Sequence, residues 1–258
     1  MSVNDIQKPV EKAKDKVQQA AQAETTSARR RRERTALFEV ALIGAITAFA
    51  MLTFLVKTSP SLALDLQVTR AVQSIDSPFF SSLMRLVSWP GFPPQSFLFT
   101  VLIALLIYSF GLTWEGVAAL LTAVFAAAAG NLVKLLIRRP RPTADLVHVF
   151  ATLHSYSFPS GHVMYYLGFY GFLWFLTFTL LKGSVKRTIL LIFFSLPVLL
   201  VGLSRIYLGE HWFSDVLGAY LLGSLALAAS ILFYRWGKKR FFVHQPVAPP
   251  EPGERRNP

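Results

Sequence analysis

No cysteine occurs among the 258 residues, which excludes disulfides, thiolate nucleophiles and cysteine-held metals and leaves the redox compartment undetermined. Charge is scarce too. Only 16% of residues are Asp, Glu, Lys or Arg, against about 25% in ordinary soluble chains. Acidic residues are the scarcer half, 14 against 26 basic ones, so the net charge is +12. There is no internal repeat. No small-residue cleavage site follows the first apolar run, so a secretory signal is not expected.

What is abundant is hydrophobicity, at 53% of residues with a mean hydropathy of +0.46. It is gathered into charge-poor runs at about 37–56, 96–113, 116–133, 163–181, 188–204 and 216–234. A membrane-spanning helix needs about 20 apolar residues. Five or six runs meet that need, the second being the weakest. The expected fold is all-α, an integral membrane bundle of six transmembrane helices over residues 37–236. Residues 1–36 and 237–258 flank it as cytoplasmic tails. Their polar or Pro-rich composition predicts disorder, although the Ala/Gln/Lys-rich middle of the first would also suit a transient helix.

A net charge of +12 invites a nucleic-acid partner, but its distribution argues against one. Basic residues cluster at Arg29–Arg32, at Lys182, Lys186 and Arg187, and at Lys238–Arg240, each beside an apolar run. Such clusters fix topology and meet anionic headgroups. They place both termini in the cytoplasm, and segments 57–95, 138–162 and 204–215 on the opposite face. Arg138, Arg139, Arg141 and Arg205 then stand against the positive-inside bias, which suggests that function holds some of them there. Segment 57–95 has a broken amphipathic pattern. It reads as one or two interfacial helices with Trp89 as an anchor, or as a plain connecting loop.

Three polar strings interrupt the apolar chain on that opposite face. His211 and Asp215 are four apart, so on a helix they would share a face. A carboxylate beside an imidazole fixes its tautomer and leaves the other nitrogen nucleophilic; a structural His–Asp pair is the alternative. Arg205, beside Ser204, offers a planar fork to phosphate oxygens. Pro159-Ser160-Gly161-His162 precedes a long apolar run. Ser160 is placed to cap that helix, Gly161 to let its N–H groups approach an anion, and His162 to protonate a leaving oxygen. An ordinary helix cap would look the same. Lys134 and Arg141-Pro142 add a point charge and a second fork, while Arg138 and Arg139 are read as cations snorkelling to the membrane surface.

Taken in order, the strings resemble the type-2 phosphatidic acid phosphatase superfamily. Its pattern of K-x6-RP, PSGH and SR-x5-H-x3-D is met at Lys134 to Pro142, Pro159 to His162 and Ser204 to Asp215 without departure. The resemblance covers about residues 37–236. It implies a phosphatase in which Lys134, Arg141 and Arg205 hold the phosphoryl oxygens, assisted by Ser160, Gly161 and Ser204. His211 would form a phosphohistidine, Asp215 would orient it, and His162 would act as acid and then base. It implies no metal or other cofactor and an extracytoplasmic site. The substrate expected is a lipid phosphate or pyrophosphate: undecaprenyl pyrophosphate, phosphatidylglycerol phosphate or phosphatidic acid. The bilayer is the other partner; protein partners are not legible. The competing class is a non-hydrolytic lipid-phosphate binding or transport protein, which would need the cations but not the two histidines and Asp215.

Overall fold

The computed structural model describes residues 3–59 and 62–242. Among them the regular secondary structure is all helical, with no strand. The helices are α1 (Val3–Thr58), α2 (Ala63–Gln73), α3 (Pro78–Ser88), α4 (Gln95–Ser109), α5 (Thr113–Ile137), α6 (Gly161–Tyr165), α7 (Gly171–Leu180), α8 (Val185–Tyr207) and α9 (Phe213–Gly237). A π-helical turn, Tyr166–Tyr170, joins α6 to α7 into one span, and a second, Lys238–Phe242, extends α9. The chain divides into two compact units, Met1–Ala48 and Phe49–Pro258. In the first, α1 is already helical from Val3, within the segment whose composition also allowed disorder. The C-terminal tail from residue 243 onward lies outside the described residues.

Five helices are long and apolar enough to cross a bilayer. The weakest expected span, 96–113, differs from its expectation. Helix α4 has only 15 residues and pairs with Pro78–Gly91 across a 63° bend, the two together meeting the requirement. Trp89-Pro90-Gly91 makes the bend as a 3₁₀ turn, because proline cannot supply the helical N–H and the following Pro93-Pro94 bars continuation.

The exterior of the second unit is apolar and its interior partly polar. Phe79, Phe97, Leu132, Leu199 and Trp236 are exposed, while Asp65, Thr69, Ser88, Arg139 and Arg205 are buried. Helices α2 and α3 follow this inverted rule, turning Asp65 and Ser88 inward and Leu64 and Leu86 outward. Such a surface is stable only against hydrocarbon, where helices associate by close packing rather than by the hydrophobic effect. Accordingly α5 carries a buried stripe of Gly116, Ala119, Ala123, Ala126 and Gly130, and α9 one of Ala219, Gly223, Ala226 and Ser230. Gly130 and Gly223 face Met164 and Leu167 of the α6–α7 span, while Gly116 faces Ala104 of α4; the α6–α7 span's most apolar window is 67% buried against 33% or less in the others. Gly168 sits so close to Ala126 that a Cβ there would lie 2.6 Å from the alanine methyl.

Candidate active site

Helix α5 ends where Arg138 adopts a left-handed conformation (φ 55°), and residues 138–160 then run without regular secondary structure. So long a structureless segment inside a packed bundle needs another reason for its order. Here the reason is that its carbonyl groups satisfy cations. Lys134 Nζ, in the last turn of α5, donates to the carbonyl oxygens of Tyr156 (2.7 Å) and Ser157 (3.5 Å). Arg141 donates to the Ser155 carbonyl (2.6 Å), the Ser155 hydroxyl (2.9 Å) and the Tyr156 carbonyl (3.3 Å).

The turn from α8 to α9 brings in the third string. Gly209 has a φ of +64° and packs against the carbonyl of His148, a place no side chain could share. The turn leaves His211 buried, with Nε2 3.2 Å from Arg141 Nη1 and Nδ1 3.5 Å from both Asp215 Oδ2 and the Ser157 hydroxyl. Burial, followed by the positive charges of Arg141, Lys134 and Arg205, holds the His211 pKa well below the usual 6.5. Arg205 lies at the end of α8, paired with the Glu210 carboxylate, hydrogen-bonded to Ser88 and set over the Phe92 ring. His162, in the first turn of α6, is wedged between Gly91 and the edge of Phe92 (4.4 Å between ring centroids). The bend between α3 and α4 therefore positions that histidine.

A cavity of about 300 Å³ is lined by Lys134, Arg141, Gly161, His162, Arg205 and His211. Its apolar wall includes Phe92, Pro93, Met164 and Tyr165. Cations and imidazoles from three separate strings thus converge on one space of the size of a phosphoryl group with part of its leaving group.

The PAP2 superfamily model matches residues 115–241. Phosphatidylglycerophosphatase B of Bacillus subtilis (strain 168) is 32% identical over 181 residues, spanning 69% of this chain and 86% of that protein. The chain belongs to the PAP2 superfamily. The crystal structure of the first transmembrane PAP2 type phosphatidylglycerolphosphate phosphatase from Bacillus subtilis superposes with a TM-score of 0.68 at 27% identity, covering 78% of this chain and 98% of that one. That of Aquifex aeolicus LpxE aligns with a TM-score of 0.49 at 24% identity, over 67% and 97% of the two chains. The protein is accordingly a multi-pass membrane phosphatase, and the carrier reading gives way to an enzyme.

In this PAP2 phosphatase the structure brings together six of the nine residues singled out in the sequence. Ser160, Ser204 and Asp215 stand behind the cavity wall, fully buried. The Ser204 hydroxyl donates to the Met84 carbonyl at 2.6 Å, so it ties α8 to α3 and is turned away from the cavity. His211 and Asp215 do not share a helix face, because α9 begins at Phe213, after the histidine. Their approach comes instead from capping: Asp215 Oδ2 accepts from the Trp212 backbone N–H at 2.8 Å and folds the turn onto the helix start.

Two functional groups went unread in the sequence. Arg139 does not snorkel to the surface. It is buried, with Nη1 2.6 Å from Asp215 Oδ1 and Nη2 2.6 Å from Asp65 Oδ2. Composition gave no cue, since Arg138 and Arg139 are adjacent and alike; only the left-handed turn at Arg138 sends one outward and one inward. Asp65 was hidden in a segment that the sequence left open between interfacial helices and a plain connecting loop. A lone carboxylate among leucines there was the available signal.

Proposed function

We propose that this PAP2 phosphatase hydrolyses a lipid phosphate or pyrophosphate without a metal, through a phosphohistidine at His211. The observation that carries the reading is that two residues lining the cavity each hold a buried polar atom with no hydrogen-bond partner, His162 Nε2 and Arg205 Nε. Buried polar groups are nearly always paired. Two unpaired ones on residues that line the cavity fit a site whose missing partner is a ligand oxygen.

The geometry supports a two-step transfer. Arg141 donates toward His211 Nε2, so the lone pair is there and the ring proton is on Nδ1, facing Ser157 and Asp215. The Nε2 lone pair attacks phosphorus, forming an N–P bond as the bond to the leaving oxygen breaks. His162 gives its proton to that oxygen. The imidazole, now positive, is steadied by Asp215. Water then loses a proton to His162 and attacks phosphorus; the N–P bond breaks, releasing inorganic phosphate and neutral His211. Lys134, Arg141 and Arg205 offset the charge of the phosphoryl oxygens throughout, the task that metal ions perform in other phosphoryl-transfer sites.

The apolar cavity wall and apolar exterior support a lipid substrate. Undecaprenyl pyrophosphate, phosphatidylglycerol phosphate and phosphatidic acid all fit this description; the B. subtilis relative's name favours the second. The basic clusters support cytoplasmic termini and an extracytoplasmic site.

The test is phosphate release from these three lipids by the purified protein in detergent with EDTA, alongside His211→Ala. Release that survives EDTA and is abolished in the variant is expected. Hydrolysis by a correctly folded His211→Ala protein at the wild-type rate would overturn the scheme.

A further inference from the structure

Asp215 is not held by its histidine alone. Its Oδ1 receives Arg139 (2.6 Å), and its Oδ2 receives the Ser157 hydroxyl (2.5 Å) and the Trp212 N–H (2.8 Å). Behind Arg139 stands Asp65 of α2. Its Oδ2 accepts from Arg139 (2.6 Å) and from the Ser214 hydroxyl (2.7 Å), and its Oδ1 from the Ser214 N–H (2.8 Å). All of these groups are buried. They come from three places far apart in sequence: the interfacial helix, the loop after α5 and the start of α9.

We infer that Asp65 and Arg139 are positioning residues for the reaction, an outer pair that fixes the Asp215 carboxylate and sets the charge felt by His211. The inference rests on the nucleophilic role proposed for His211. Arg139 alone would neutralise Asp215 and remove the negative charge that steadies a positive imidazole. Asp65 reverses that loss, because the three groups together carry one net negative charge. A neutral hydrogen-bonding residue at position 65 would leave the geometry and lose the charge.

The charged and titratable groups around His211 are Arg141 from the loop, Lys134 from α5, Arg205 from α8 with its partner Glu210, His162 from α6, and Asp215. None of them differs among the variants that test the inference. Those variants are Asp65→Asn, Arg139→Gln and the double substitution, with His211→Ala as control. The readouts are kcat, KM and the acid limb of the kcat/KM–pH profile, on full-length protein whose folding is checked by elution in detergent.

In Asp65→Asn, kcat is expected to fall about tenfold with KM little changed. Its acid limb should move to lower pH by about half a unit or more, because a negative charge that favours the imidazolium is gone. In Arg139→Gln the limb should move the opposite way. The double variant keeps the cluster's net charge of one negative, on an Asp215 carboxylate still held by the Ser157 hydroxyl and the Trp212 N–H. Its acid limb should return to the wild-type position while kcat stays low.

Shifts of the same sign, no shift in either folded single variant, or a double variant with wild-type kcat would overturn the inference. Activity in His211→Ala would instead remove the underlying scheme. A dead His211→Ala beside an Asp65→Asn indistinguishable from wild type would remove only the role of the outer pair.

Discussion

Arg141 Nη1 lies 3.2 Å from His211 Nε2 and 2.5 Å from the carbonyl oxygen of Glu210, the residue before that histidine. One guanidinium therefore touches the nucleophile, fixes the turn that carries it and presents its remaining N–H groups to the Ser155 and Tyr156 carbonyls. Replacing Arg141 with Ala is expected to cost about 10²–10³ in kcat/KM, the range for a lost transition-state donor. Arg141→Lys keeps the charge but not the fork, and one ammonium cannot span Ser155, Tyr156 and Glu210. Its rate should fall between the two, measured as phosphate release at subsaturating substrate.

The depressed pKa of His211 has a sign that can be checked. Burial and the facing cations disfavour the imidazolium, so the histidine is neutral and nucleophilic below the usual 6.5. The acid limb of kcat/KM is expected below that value. Stability follows the same linkage. Between the folded pKa and 6.5 the unfolded chain binds the proton and the folded one does not, so the His211 contribution is fully present above 6.5 and is lost as pH falls below it. Thermal unfolding in detergent should show wild type losing stability over that window and His211→Ala losing less.

Ser160 and Ser204 belong to neighbouring motifs but should respond oppositely to alanine. The Ser204 hydroxyl is spent on Met84, so Ser204→Ala should lower stability by about 1 kcal/mol and leave kcat near wild type. The Ser160 hydroxyl has no partner in the protein, so Ser160→Ala should leave stability unchanged or raise it slightly. Melting curves separate the two, and steady-state kinetics on the same preparations check the Ser204→Ala rate.

The leaving oxygen supplies a test of His162. A group that protonates it matters most when the oxygen is a poor leaving group. His162→Asn should be strongly impaired on an alkyl phosphate and much less on p-nitrophenyl phosphate in the first step. Quenching the reaction with base should then trap more phosphoenzyme than in wild type, because the same histidine serves the water step. Equal impairment on both substrates would argue against the acid role.

Much of this was legible in the chain. Charge-poor runs announced the spans, because hydrocarbon tolerates almost nothing else. The three strings announced the site, because cations and imidazoles at span ends are too costly to keep without use. What the linear pattern could not carry was pairing across distance. The four-residue spacing of His211 and Asp215 suggested a shared helix face, yet a helix cap brings them together. Ser204 lies inside a motif but bonds a carbonyl 120 positions away. Arg138 and Arg139 are identical in sequence terms, and a single left-handed residue decides which is buried.

Sequence by itself thus determined the solvent, the class of chemistry and the inventory of reactive groups, since each depends on residue type and local spacing. Tertiary structure alone decided which cation meets which carboxylate. Asp65 reaches Arg139 and Ser214 only because α2 packs its polar face inward, and such contacts depend on the folded path of the chain rather than on any neighbourhood within it.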